Sequence, residues 1–66
     1  MKYNKKLLIL KNLINYHILS DIQLTKKSGI LHREDLYCLT RKLIEEGFPI
    51  KFYKIYGERY YYLERI

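Results

Sequence analysis

Imidazole and thiol groups occur at only three positions in this chain, His17, His32 and Cys38. A zinc site draws three or four such ligands, commonly in pairs about two to five residues apart. These three stand singly, so their spacing predicts no metal. No serine, threonine or cysteine is set in a motif with a histidine base, and no glycine-rich loop is spaced to cradle phosphate. The expectation is therefore no enzyme, no metal and no cofactor. Cys38 also lacks a partner for an internal disulfide, which points to a reducing, cytoplasmic setting.

The chemistry that remains is charge. Thirteen Lys and Arg against seven Asp and Glu give a formal net charge of +6. It is unevenly spread: residues 1 to 19 carry Lys2, Lys5, Lys6 and Lys11 and no acid. Residues 32 to 47 lean the other way, with Arg33, Arg41 and Lys42 outnumbered by Glu34, Asp35, Glu45 and Glu46. A basic balance suits a polyanion, either nucleic acid or an acidic membrane surface, although it also describes a merely soluble basic protein. The longest uninterrupted apolar run, Leu7 to Leu10, is far short of the ~18 residues that suggest a membrane span. No signal-peptide pattern is present, so no membrane partner is expected.

These charges must be held by a small core. Sixty-six residues read as one domain, 1–66, because a chain of this size buries only about 60% of its unfolded surface. Eleven Leu, nine Ile and eight Tyr supply most of a 48% hydrophobic content, with no Ala, Val or Trp, a globular rather than disordered profile.

At 100° per residue, Leu7, Ile9, Leu10, Leu13, Ile14, His17 and Ile18 share one broad arc, which predicts a first helix from about Asn4 to His17. His17 is expected to be buried and hydrogen-bonded on that arc, and Leu8 falls among the polar residues. Ser20 with Gln23 forms a capping box, and Leu19 can staple onto Leu24, so a second helix starts at Asp21 and stops near Ser28 before Gly29. By the same logic Leu31 and Leu36 staple around a cap at His32, with Glu34 and Asp35 in the positively polarised first turn of a third helix from about Arg33. Leu36, Leu39, Thr40 and Leu43 form its inward stripe, and Gly47 followed by Pro49 ends it near Glu46.

From Ile50 the spacing shortens to that of strands around Gly57 and Glu58. Glycine as first central residue predicts a type II′ turn in which Tyr56 pairs with Arg59. One hairpin face then carries Phe52, Lys54, Tyr61 and Leu63, and the other Tyr53, Ile55, Tyr60 and Tyr62. The expected fold is mainly α with a small β-hairpin.

In this order the elements outline a winged helix-turn-helix of three helices plus a two-stranded wing, and specific residues resemble the biotin-repressor-like branch of that family. Ser20, Leu24, Gly29 and Ile30 look like its second helix and turn; Leu36, Thr40, Leu43 and Gly47 keep the spacing of its recognition helix. The run LIEEGFPI, then Gly57, Tyr61 and Leu63, is similar to its approach to the wing and the returning strand. The resemblance extends from Leu7 to Leu63 and rests on the order of common residues.

It implies a sequence-specific binder of double-stranded DNA, with the third helix in the major groove and the second helix and wing on phosphate. The outward positions of that helix are Glu34, Tyr37, Cys38, Arg41, Lys42 and Glu45, led by Arg33. Arg33 and Arg41 are the candidate base or phosphate readers, since a guanidinium bonds the guanine edge at two points. Tyr37 can reach a phosphate or a thymine methyl, and Lys26, Lys27, Lys54 and Arg59 would complete the phosphate surface. The alternative is an ordinary solvated helix face with an Arg41–Glu45 ion pair.

One module covers few base pairs, so a homodimer on a two-fold site is expected, acting by site occupancy. Phe52, Tyr61 and Leu63 would face inward, leaving Tyr53, Tyr60 and Tyr62, with Leu8 on the first helix, as candidate interface residues. A rival reading is an adaptor or inhibitor that binds a protein partner through this tyrosine-rich hairpin, favoured by the acidic third helix.

Overall fold

Asn4 accepts the Lys6 backbone N–H on its side chain at 3.0 Å and so caps the first helix. In the computed structural model, which describes residues 4–65, this helix is α1 (Lys5–Asn15). Lys2, one of the basic N-terminal residues, lies outside the described residues. Next come β1 (Leu19–Ser20), α2 (Asp21–Lys27), α3 (Arg33–Glu45), β2 (Ile50–Ile55) and β3 (Glu58–Leu63).

The broad apolar arc of α1 proves narrower and turned. Only Ile9 and Leu13 are buried, while Leu7 and Ile14 are 63% and 59% exposed. The buried line is rotated by about 70° from the arc's centre, at 100° per residue. Leu8 becomes half-buried, and Asn12, on that same side, donates to the buried Ser28 hydroxyl at 3.0 Å. That polar contact ties α1 to the end of α2 on a side that apolar spacing alone cannot register. His17 is exposed rather than buried, because the helix has already ended at Tyr16.

The start of α2 follows its sequence. Ser20 Oγ accepts the Gln23 N–H at 3.2 Å and Gln23 Oε1 accepts the Ser20 N–H at 3.1 Å, while Leu19 and Leu24 are both buried. Gly29 ends the helix with φ +67°, a conformation that strains any residue with a Cβ. Its N–H donates to Lys26 O, and the Ile30 N–H donates to Thr25 O, closing the paired bonds of a Schellman turn.

Two expectations at the start of α3 fail. The His32 side chain makes no capping bond, and Leu31 is 91% exposed while Leu36 is fully buried, so no staple forms. The His32 carbonyl instead accepts the Asp35 and Leu36 N–H groups, so backbone alone opens the helix. Leu36, Thr40 and Leu43 are buried as the spacing predicts, with the Thr40 hydroxyl donating to Leu36 O at 2.9 Å.

Among the described residues the sheet has three strands rather than two, in the order β1-β3-β2 and antiparallel throughout. Leu19 pairs with Tyr61 and Ser20 with Tyr60, a two-residue strand too short to show any alternation in sequence. The hairpin closes on Ile55 and Glu58, and its central residues Tyr56 and Gly57 have φ +50° and +82°. Positive φ at both positions is the type I′ pattern, so Gly57 is the second central residue and Tyr56 does not pair with Arg59. Relative to the predicted register, the pairing slides by two residues. Side chains alternate with period two, so the slide changes partners and keeps faces.

Tyr61 therefore still points inward and is fully buried. With Ile9, Leu13, Leu19, Leu24, Ile30, Leu36, Leu43 and Ile50 it makes one core beneath the helices.

Candidate nucleic-acid interface

The site begins with a carboxylate inside the protein. Asp21 is the first residue of α2, held by the capping box on one side and by β1 pairing on the other, and its side chain has no solvent exposure. Oδ1 accepts the Ile22 N–H at 2.7 Å, and Oδ2 accepts the Tyr37 hydroxyl at 2.9 Å. Arg33 Nη1 lies 3.8 Å from the same Oδ2. A buried charge is costly unless paired and hydrogen-bonded, and Arg33 and Tyr37, one turn apart on α3, meet that need together. Burial, then the hydrogen bond that Tyr37 donates to Asp21 and the negative charge of that carboxylate, raises the Tyr37 pKa above the usual 10.0.

Tyr37 is thus half-buried and oriented by Asp21, and its hydroxyl does not project freely from α3 as the helical projection predicts. Its ring supports a further cation. The Arg59 guanidinium, from β3, lies 4.0 Å above the Tyr37 ring centroid and 4.5 Å from that of Phe52, within cation–π range of both. Arg59 Nη1 also donates to the buried Tyr61 hydroxyl at 3.1 Å. One arginine therefore joins the hairpin to α3.

Between these elements runs a groove lined by Tyr37, Thr40, Arg41, Ile44, Phe52 and Arg59, with Glu45 as its acid. Lys54 is the direct cross-strand partner of Arg59. Like charges directly opposite one another across strands are unfavourable. Arg41 is exposed, its Nη2 3.9 Å from Cys38 Sγ, and among the described residues it forms no ion pair with Glu45.

The structure thus brings Arg33, Tyr37, Arg41, Lys54 and Arg59 to α3 and the hairpin beside it. Lys26 and Lys27 do not join them. They sit at the far end of α2 from Asp21, and Lys27 lies 4.4 Å over the Tyr16 ring, facing the α1–β1 connection. Glu34 and Asp35 are exposed in the first turn of α3, as expected of residues that offset the helix dipole.

On the opposite face of the hairpin, Tyr53 and Tyr60 stack at 5.7 Å and 18°, and Tyr53 meets Tyr62 at 6.1 Å. The Tyr60 hydroxyl donates to Glu58 at 3.2 Å, and that bond, followed by the Glu58 charge, raises its pKa. Leu8 is half-buried on α1.

Two participants escaped sequence reasoning. Asp21 was legible only as the start of the second helix, because its partner Tyr37 is sixteen residues away across a turn. Phe52, read as an inward core residue, is 41% exposed and serves as the floor beneath Arg59. Comparison with protein-family models, with curated proteins and with solved structures finds no match. Among the described residues, no helix is long and apolar enough to cross a membrane.

Proposed function

We propose that this chain is a winged helix-turn-helix module that binds double-stranded DNA sequence-specifically, acting as a homodimer that regulates transcription by occupying its site. In this reading α2 and α3 form the helix-turn-helix, α3 enters the major groove, and β2 and β3 form the wing on adjoining phosphates. The observation that carries it is Arg59, stacked on Tyr37 and Phe52, which ties the wing to α3 in a groove shared with Arg41, with Lys54 as its cross-strand partner. A cation held in place before binding loses less side-chain freedom on contact, which favours its use in recognition.

The test is a set of binding isotherms on selected and scrambled duplexes at several salt concentrations. Arg41→Ala is expected to relax preference at one position of the site, a loss of about 1–3 kcal/mol of discrimination. Lys54→Ala is expected to weaken all sequences alike and to lower the salt slope by about one unit. A parent protein that does not distinguish selected from scrambled duplex would overturn the reading.

The tyrosine face supports a second reading. Tyr53 and Ile55 are 43% and 45% exposed on one side of the hairpin, a surface suited to a protein partner of an adaptor or inhibitor. Under that reading neither substitution alters duplex binding, which is weak and nonspecific throughout.

A further inference from the structure

We infer that the outer edge of β2 is the homodimer interface, where two copies pair antiparallel about a two-fold axis through Tyr53 to make one six-stranded sheet. The inference rests on the proposed function only for its purpose, two copies on a two-fold site. Its geometry comes from the strand.

Among the described residues β2 is an edge strand, as is the two-residue β1, since the order is β1-β3-β2. The Glu64 N–H donates to Pro49 O at 2.8 Å, which sets the phase of the ladder. In an antiparallel pair the hydrogen-bonded positions alternate, so Lys51, Tyr53 and Ile55 turn their backbone groups toward β3. Phe52 and Lys54 turn theirs toward the open edge. Open N–H and C=O groups along a six-residue strand are a template for another strand, and β2 holds no proline or bulge to block it.

Among axes through residues 51 to 54, a second copy fits this edge in one register. A two-fold axis normal to the sheet keeps each face with its like, so only residues of the same parity can pair. Axes at Lys51 or Lys54 set a lysine directly against itself, which repels. An axis at Phe52 sets Lys54 against Ile50 of the second copy, whose N–H already donates to Phe48 O at 2.9 Å. The axis at Tyr53 has neither fault. It places Phe52 opposite Lys54 of the second copy with all four backbone groups free to bond, and Lys51 opposite Ile55. It also sets Tyr53 against Tyr53, extending the stack with Tyr60 and Tyr62 across the boundary. Because the axis is normal to the sheet, both α3 helices lie on one side of the joined sheet, as a two-fold duplex site requires.

The experiment reads solution mass and cross-linking. Wild type is expected to sediment with twice the mass of one chain. Lys54→Pro, which removes an edge donor outside the hairpin ladder, is expected to halve that mass with the circular dichroism spectrum retained, whereas Lys54→Ala keeps the donor and stays dimeric. In a Cys38→Ser background, Tyr53→Cys is expected to form a disulfide-linked dimer on mild oxidation, while Ile55→Cys does not, because only position 53 meets itself. Should Lys54→Pro unfold, the two cysteine variants decide. A wild type that is monomeric at millimolar concentration, a folded Lys54→Pro that remains dimeric, or cross-linking equally fast at 55 overturns the inference. Binding to random duplex at low salt is measured separately. A dimer with this register that ignores DNA leaves the interface standing and sinks the proposed function; a DNA-binding monomer sinks the interface and the homodimer while the DNA-binding part of the reading stands.

Discussion

Tyr37 shows how a residue on an outward helical position can be claimed by the interior. Its hydroxyl donates to a carboxylate that has no exposure, so replacing it strands an acceptor. Tyr37→Phe is expected to cost about 1.5 kcal/mol, the low end for a bond to a charged group because Tyr37 keeps partial solvent contact. The effect carries a pH signature. The folded chain holds the Tyr37 proton more tightly than the unfolded chain does, so this stabilisation is complete below 10.0 and is lost as pH rises through the raised value. Urea unfolding of the parent and Tyr37→Phe should therefore show a stability gap that narrows above that pH. A gap that is constant across the range would show that the Asp21–Tyr37 bond contributes nothing.

At the scale of elements, the turns divide by how local their causes are. The capping box of α2 and the Schellman turn at Gly29 involve residues within a few positions of one another, and both form where the sequence reading puts them. The hairpin turn did not follow its expected register, since a glycine in either central position of a primed turn satisfies the backbone. The outcome puts Tyr56, fully exposed, at φ +50°, where a Cβ is strained by about 1 kcal/mol or more. Tyr56→Asn creates the preferred Asn-Gly turn and is expected to raise stability by about 1 kcal/mol, seen as a higher urea midpoint with an unchanged slope. A lower midpoint would mean that the Tyr56 ring makes contacts that outweigh its strain.

Across the whole molecule, Tyr61 is the residue on which the layers converge. It pairs with Leu19 of β1 and Phe52 of β2, lies fully buried among helix residues, and anchors Arg59 through its hydroxyl. Removing an aromatic side chain of this kind costs about 3–5 kcal/mol. A core in a chain this short supplies little more than about 3–5 kcal/mol in total. Tyr61→Ala is therefore expected to be largely unfolded at room temperature by circular dichroism and to sharpen no two-state transition on heating. A cooperative melt close to that of the parent would place the centre of the core elsewhere.

Short-range chemistry was enough to read three helices with their boundaries within about two residues, the alternation of the hairpin, and the inward stripe Leu36, Leu39, Thr40 and Leu43, of which Leu39 is only half-buried. It was also enough to place Arg33, Arg41, Lys54 and Arg59 on α3 and the hairpin, because each depends on spacing within a single element. Tertiary structure alone decided the rotation of α1 toward Ser28, the third strand at Leu19 and Ser20, the register at Tyr56 and Gly57, and the joining of Arg33, Tyr37 and Arg59 around Asp21 and Phe52. In each of these the deciding contact links residues on different elements or offers two local solutions of similar energy. Neither periodicity nor capping carries information about which distant group completes a hydrogen bond.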